Sequence, residues 1–166
     1  MKKLFFILIS AALIFTGCKK SDSDVVVYNP ATDGIVGEWY SSGTNVALLL
    51  VNLMKTDSIY AKFNADKTYY VESFDKAKVK TVFTGVYTQS KSSVGNIWTI
   101  KLSQSKPAAI TTEGIFEISG TGPKFMMKYE VVQTEPDIKA LLPTPQKGFG
   151  ADYKGTNVQT YIKIVK

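Results

Sequence analysis

Apolar and polar side chains alternate with a period of two along one short segment after another, and this limits the fold more than any other feature. In 96–104, Trp98, Ile100 and Leu102 oppose Thr99, Lys101 and Ser103. In 124–134, Phe125, Met127, Tyr129 and Val131 oppose Lys128 and Glu130, with Met126 and Val132 at the ends. In the last segment, Val158, Thr160, Ile162 and Ile164 oppose Gln159, Tyr161 and Lys163, which assigns Lys163 to the wetter face. One apolar and one wet face per strand is the signature of an antiparallel sandwich or barrel and argues against a parallel α/β fold. Strands are expected at 35–41, 57–63, 67–74, 79–88, 96–104, 110–119, 124–134 and 157–165. Asn64-Ala65-Asp66-Lys67 and Ser119-Gly120-Thr121-Gly122 supply turn residues between them. Eight strands in hairpin succession close on themselves and remove exposed edges, so the expectation is an all-β, eight-stranded antiparallel up-and-down barrel.

Two stretches break the alternation. Val46 to Met54 is nearly all apolar, rich in Leu, and follows capping candidates at Gly43-Thr44. It reads as a short helix near 45–54, either plugging one end of the barrel or gating a ligand. The connection from about 135 to 156 holds Pro136, Pro143, Pro145, Gly148, Gly150 and Gly155. Loops that long are usually functional or disordered. Phe149, between two glycines, either makes an exposed contact or pins this loop to the barrel.

What the chain lacks excludes much chemistry. It has 20 basic residues, all lysine and scattered, with no His, no Arg and a single cysteine, Cys18. Nucleic-acid binding would want a basic stripe with Arg. A disulfide framework, Ser-His-Asp or Cys-His catalysis and His- or Cys-based zinc sites are ruled out. Two-carboxylate hydrolysis survives, with Glu72, Glu113, Glu117 and Glu130 as candidates, although strand glutamates usually partner solvated lysines. No catalysis, metal or cofactor is expected.

At the N-terminus, Lys2-Lys3 precede an apolar run from Leu4 to Phe15, too short to span a bilayer comfortably. Phe15-Thr16-Gly17-Cys18 follows and resembles the lipobox of bacterial lipoproteins, with Phe15 where Leu is usual. The resemblance implies cleavage before Cys18, a thioether-linked diacylglycerol on it, and N-acylation, typically by palmitate. Several chains give the stable attachment that one chain does not. Lys19, where inner-membrane retention would place an aspartate, implies the outer membrane. The run 19–24, Lys-Lys-Ser-Asp-Ser-Asp, is either a plain solvated tether or similar to a surface-export tag, so the periplasmic and cell-surface faces both stay open. Removing 1–17 takes away Lys2 and Lys3 and lowers the net charge from +6 to +4. The organisation read here is signal peptide 1–17, lipidated tether 18–33 with Val25 to Tyr28 as an extra edge strand, and a barrel domain 34–166.

Ile35-Val36-Gly37-Glu38-Trp39 opens that domain with Gly-x-Trp. With the hairpin Phe63 to Tyr69, the run Thr84-Gly85-Val86-Tyr87 and the strand at Trp98-Thr99-Ile100, it resembles the lipocalin-like lipoproteins of Gram-negative bacteria over about 34–166. The resemblance implies that Gly37 and Trp39 form the barrel base. Lipocalins usually stack an Arg on that Trp. This chain has none, and Lys163 is the candidate substitute through a cation–π contact.

If the barrel holds a small apolar molecule, Tyr87, Trp98, Phe116, Met127 and Tyr129 are the expected lining; otherwise they fill the interior. Of Tyr69 and Tyr70, one must face outward. The expected role is non-enzymatic binding of a small apolar ligand or an envelope partner. The alternative is a structural or interaction subunit of a cell-envelope assembly with a filled barrel.

Overall fold

The computed structural model describes residues 28–121 and 123–165. The signal segment, Cys18, the run 19–24 and the stretch 25–27 lie outside the described residues. Eight strands follow in order: β1 (Gly37–Ser42), β2 (Thr56–Phe63), β3 (Thr68–Asp75), β4 (Lys80–Lys91), β5 (Ile97–Lys106), β6 (Ile110–Ser119), β7 (Met126–Glu135) and β8 (Gln159–Ile164). Each pairs antiparallel with its neighbours, and β1 pairs with β8, so the sheet is a closed up-and-down barrel. All eight expected strands are present within a few residues of their anticipated bounds.

The inner face carries a gradient of side-chain size along the barrel axis. At the end marked by the start of β1, the large rings Trp39, Phe63, Tyr69, Tyr87, Trp98 and Phe116 are packed and buried. Towards the opposite end the inward positions are smaller or more polar: Ser41, Val71, Ser73, Gln104, Thr112 and Val131. The first end is therefore closed and the second is open. Between the two, the backbone of β7 approaches Gly114 so closely that a Cβ there would stand 2.0 Å from the Glu130 carbonyl oxygen.

Trp39 anchors the closed end. It is 0% exposed and its indole N–H donates to the Ile35 carbonyl at 2.7 Å. Lys163, opposite Trp39 in the β1–β8 register, turns inward rather than to the wet face. Its ammonium sits 4.5 Å from the Trp39 ring centroid and 3.4 Å from that of Tyr28, and donates to the Val36 carbonyl at 2.9 Å. Burial lowers its pKa to about 8, with the Asp33 charge pulling the other way. The two rings and the carbonyl offset this by favouring the cation. The faces of β8 are thus the reverse of the sequence expectation. Gln159, Tyr161 and Lys163 point in, while Ile162 is exposed. Hydropathy misassigned this strand because the polar groups of Gln159 and Lys163 find partners inside the barrel.

Residues 28–36, expected as tether and strand start, belong to the closed end. Tyr28 packs edge-on against Trp39 and Phe125 and donates its hydroxyl to the Gly34 carbonyl at 2.5 Å. It does not extend an edge strand, since the closed ladder leaves no edge beside it. A one-turn helix, α1 (Pro30–Asp33), follows, capped by the Asn29 side chain. Gln89 from β4 holds its exit, accepting from the Ile35 N–H and donating to the Asp33 carbonyl.

At the open end, a 3-10 turn over Gly43–Asn45 leads into α2 (Leu48–Met54). Gly43-Thr44 does not cap α2; Ala47 holds the N-cap position without a side-chain bond. The helix is fixed instead by burial of Val46 and Ala47 and by tertiary bonds to its first turn. The connection from β7 to β8 runs back over the outside of the barrel. Pro143 and Pro145 are buried there beside residues of β4 to β6. The Glu130 carboxylate, itself buried, accepts from the Gly150 N–H at 2.8 Å. Phe149 lies under the Lys128 ammonium, 5.1 Å from its centroid, which pins the loop to the barrel.

Gly37 has φ of +129°, and a Cβ there would stand 2.2 Å from the Lys163 ammonium. Gly37→Ala is therefore expected to destabilise the protein by about 1–3 kcal/mol, from backbone strain and a displaced cation. Urea unfolding of the two proteins checks this; coincident curves would contradict it.

Candidate functional site

The small inward side chains of the open end leave a chamber of about 500 Å³. This falls within the roughly 300–1,000 Å³ typical of small-molecule sites. Ile59, Val71, Phe83, Leu102, Tyr129 and Val131 give it an apolar wall, and Ser73, Gln104, Thr112 and Gln133 add polar points near the rim. No Lys, Asp or Glu among the described residues lines it. Leu49, Leu50, Leu53 and Met54 of α2 form one side of the mouth. Leu53 is nonetheless 73% exposed, so the helix flanks the opening and does not plug the barrel.

Of the five residues expected to line a ligand cavity, only Tyr129 does so. The other four belong to the packed closed end. Tyr87 donates its hydroxyl to the Asn64 carbonyl at 2.8 Å in the β2–β3 turn. Trp98 stacks on Phe116 with centroids 5.8 Å apart, and Met127 is fully buried. Gly37 and Trp39 do sit at the base. Sequence reasoning missed Val71, Leu102, Thr112 and Val131. The signal available was the order of sizes along each strand: Trp98 before Leu102 on β5, but Phe116 after Thr112 on β6. In antiparallel neighbours that opposite order stacks large residues at one end and small ones at the other.

The candidate carboxylates are spread over the outside. Glu72 pairs with Lys80 at 2.8 Å and accepts from the outward Tyr70 hydroxyl at 2.6 Å, while Glu113 pairs with Lys101 at 3.1 Å. Hydrogen bonds from Lys80 and Tyr70 hold Glu72 below the usual carboxylate range. Glu130 serves the loop, as described.

The interior tyrosines stay neutral across the physiological range. Burial pushes Tyr69 and Tyr87 up to about 12, with the Asp66 charge adding to the effect at Tyr87. Burial also raises Tyr28, with Asp33 contributing, and Tyr161, and it raises Tyr129 well above the usual value with Tyr161 and Tyr69 adding to the effect. The fold and site together define a closed β-barrel with an uncharged, largely apolar chamber open at one end. Comparison of the chain with family models, with curated proteins and with solved structures finds no match.

Because these phenols have folded pKa values above the unfolded value of about 10, the stability they confer is complete below that pH. It is lost as the pH rises through their folded values. An alkaline titration should show the phenolate absorbance of Tyr28, Tyr69, Tyr87, Tyr129 and Tyr161 emerging in one step above pH 10, together with loss of the β-sheet circular dichroism. Gradual ionisation with the sheet intact would refute the assignment.

Proposed function

We propose that this protein is a lipid-anchored, non-enzymatic binding module of the outer membrane that captures a small apolar molecule in its barrel. The chamber carries this reading. A barrel kept only as a structural subunit gains packing by filling its interior, whereas here the open end keeps a chamber of about 500 Å³. An uncharged apolar wall with a few hydrogen-bonding groups suits ligands that shed little hydration on entering. The anchor is the acylated Cys18 of the lipobox-like run, and the architecture is that of the lipocalin-like lipoproteins the sequence resembles.

Tyr28 marks the end of the barrel that the preceding chain enters. Ten residue steps separate Cys18 from Tyr28, a reach of at most about 35 Å. Tyr28 is packed into the closed end, opposite α2 and the mouth. On this reading the tether joins the barrel at its base, at the end opposite the mouth.

Two measurements test the two halves of this reading. Cys18→Ser should abolish incorporation of labelled palmitate and release the protein from the membrane fraction; continued membrane association would remove the anchor. Native mass spectrometry of the protein exposed to lipid and glycan extracts should show a retained adduct, and Val71→Trp, which puts a large ring into the chamber, should eliminate it. A clean mass across all extracts would overturn ligand capture.

A further inference from the structure

Asn157 is the one side chain among the described residues with buried polar atoms left without a partner. It is 8% exposed, and neither its Oδ1 nor its Nδ2 meets a hydrogen-bonding group. Its neighbours are fully engaged. The Thr156 carbonyl accepts from the Leu49 N–H at 2.8 Å. Gln159 accepts from the Ala47 N–H at 2.8 Å and donates to the Ser41 hydroxyl at 2.6 Å. The chain on both sides of Asn157 fastens the first turn of α2, while the amide between them bonds to nothing. Buried polar groups are almost always satisfied, so an exception calls for a partner, whether an ordered water or a bound group.

Asn157 lines a side pocket of about 100 Å³ beneath α2. Leu49, Leu50, Tyr129, Val131 and Tyr161 wall both this pocket and the main chamber. Tyr129 and Tyr161 meet edge to face there, 5.9 Å between centroids. No charged side chain among the described residues lines either space. An ionised head group would lose its hydration without gaining a counter-charge, and a pure hydrocarbon would leave the amide unpaired. A carboxamide side chain donates from nitrogen and accepts at oxygen, so its best complement carries both functions side by side.

We propose that this side pocket is the polar subsite of the chamber. In it, Asn157 pairs with an uncharged head group bearing adjacent donor and acceptor, such as a carboxamide, while the ligand's apolar body occupies the main space. This rests on the chamber being a site for apolar ligands and adds the class of head group it selects.

Three probes with the same twelve-carbon acyl chain test it, titrated calorimetrically into the full-length protein: dodecanamide, methyl dodecanoate and, at pH 8, dodecanoate. The amide should bind about tenfold more tightly than the ester, which only accepts, and than the carboxylate. Asn157→Leu should bring the amide down to the level of the ester, leave ester binding unchanged and raise Tm by removing an unpaired amide. Should that variant not fold, Asn157→Ala adds no bulk and gives the same affinity readout. Equal affinities for all three probes, untouched by either variant, would mean the pocket holds water only and would overturn the subsite while leaving apolar capture standing. No binding by any probe would overturn both.

Discussion

Closure of the barrel through β1 and β8 depends on a contact that puts a charge where hydropathy would not. Lys163 turns inward from the last strand and lies over Trp39 and Tyr28, while its amine caps the Val36 carbonyl. The contact ties the first strand, the last strand and the segment before the barrel into one unit. It also accounts for Gly37, since the lysine head occupies the volume any side chain there would need. A lysine stem covers apolar surface while its head finds aromatic faces and an oxygen, so an inward cation is tolerated at this point.

With that end sealed, the rest follows from size. Rings packed at the base close it, and the smaller inward residues above them, with Phe83, Tyr129 and Tyr161 standing in the wall, leave a space between them in a barrel of fixed strand number. The chamber is therefore a consequence of where along each strand the large residues fall, and its walls are the continuation of the core. The apolar mouth and α2 lie at the end farthest from where the chain enters the barrel.

The long connection between β7 and β8 is part of this architecture. It lies along the barrel wall through buried prolines, a Phe149–Lys128 contact and the Gly150 N–H on Glu130. It then returns to hold α2 through Thr156. Glu130 shows how a strand glutamate that reads as solvated becomes structural once a loop with free N–H groups covers it. Asn157, at the end of the same connection, is the exception to this economy of pairing, and it lines the smaller pocket beside the chamber.

The alternation of residues alone determined the number, order and antiparallel sense of the strands, because period-two patterning exposes one face of each and hairpin turns leave little choice of partner. A break in that pattern marked a short apolar helix after β1, while only the resemblance carried by Gly37 and Trp39 implied the base. The alternation did not determine which way β8 faces, because its inward lysine and glutamine find partners only once β1 lies beside them. Nor did it separate filler from cavity wall: Tyr87, Trp98, Phe116 and Met127 share the inner face with Tyr129. Only the register between strands, a tertiary property, set the first four at the closed end and left Tyr129 at the chamber. Asn157 was invisible for the same reason, since an amide in a turn is ordinary until the fold buries it without a partner.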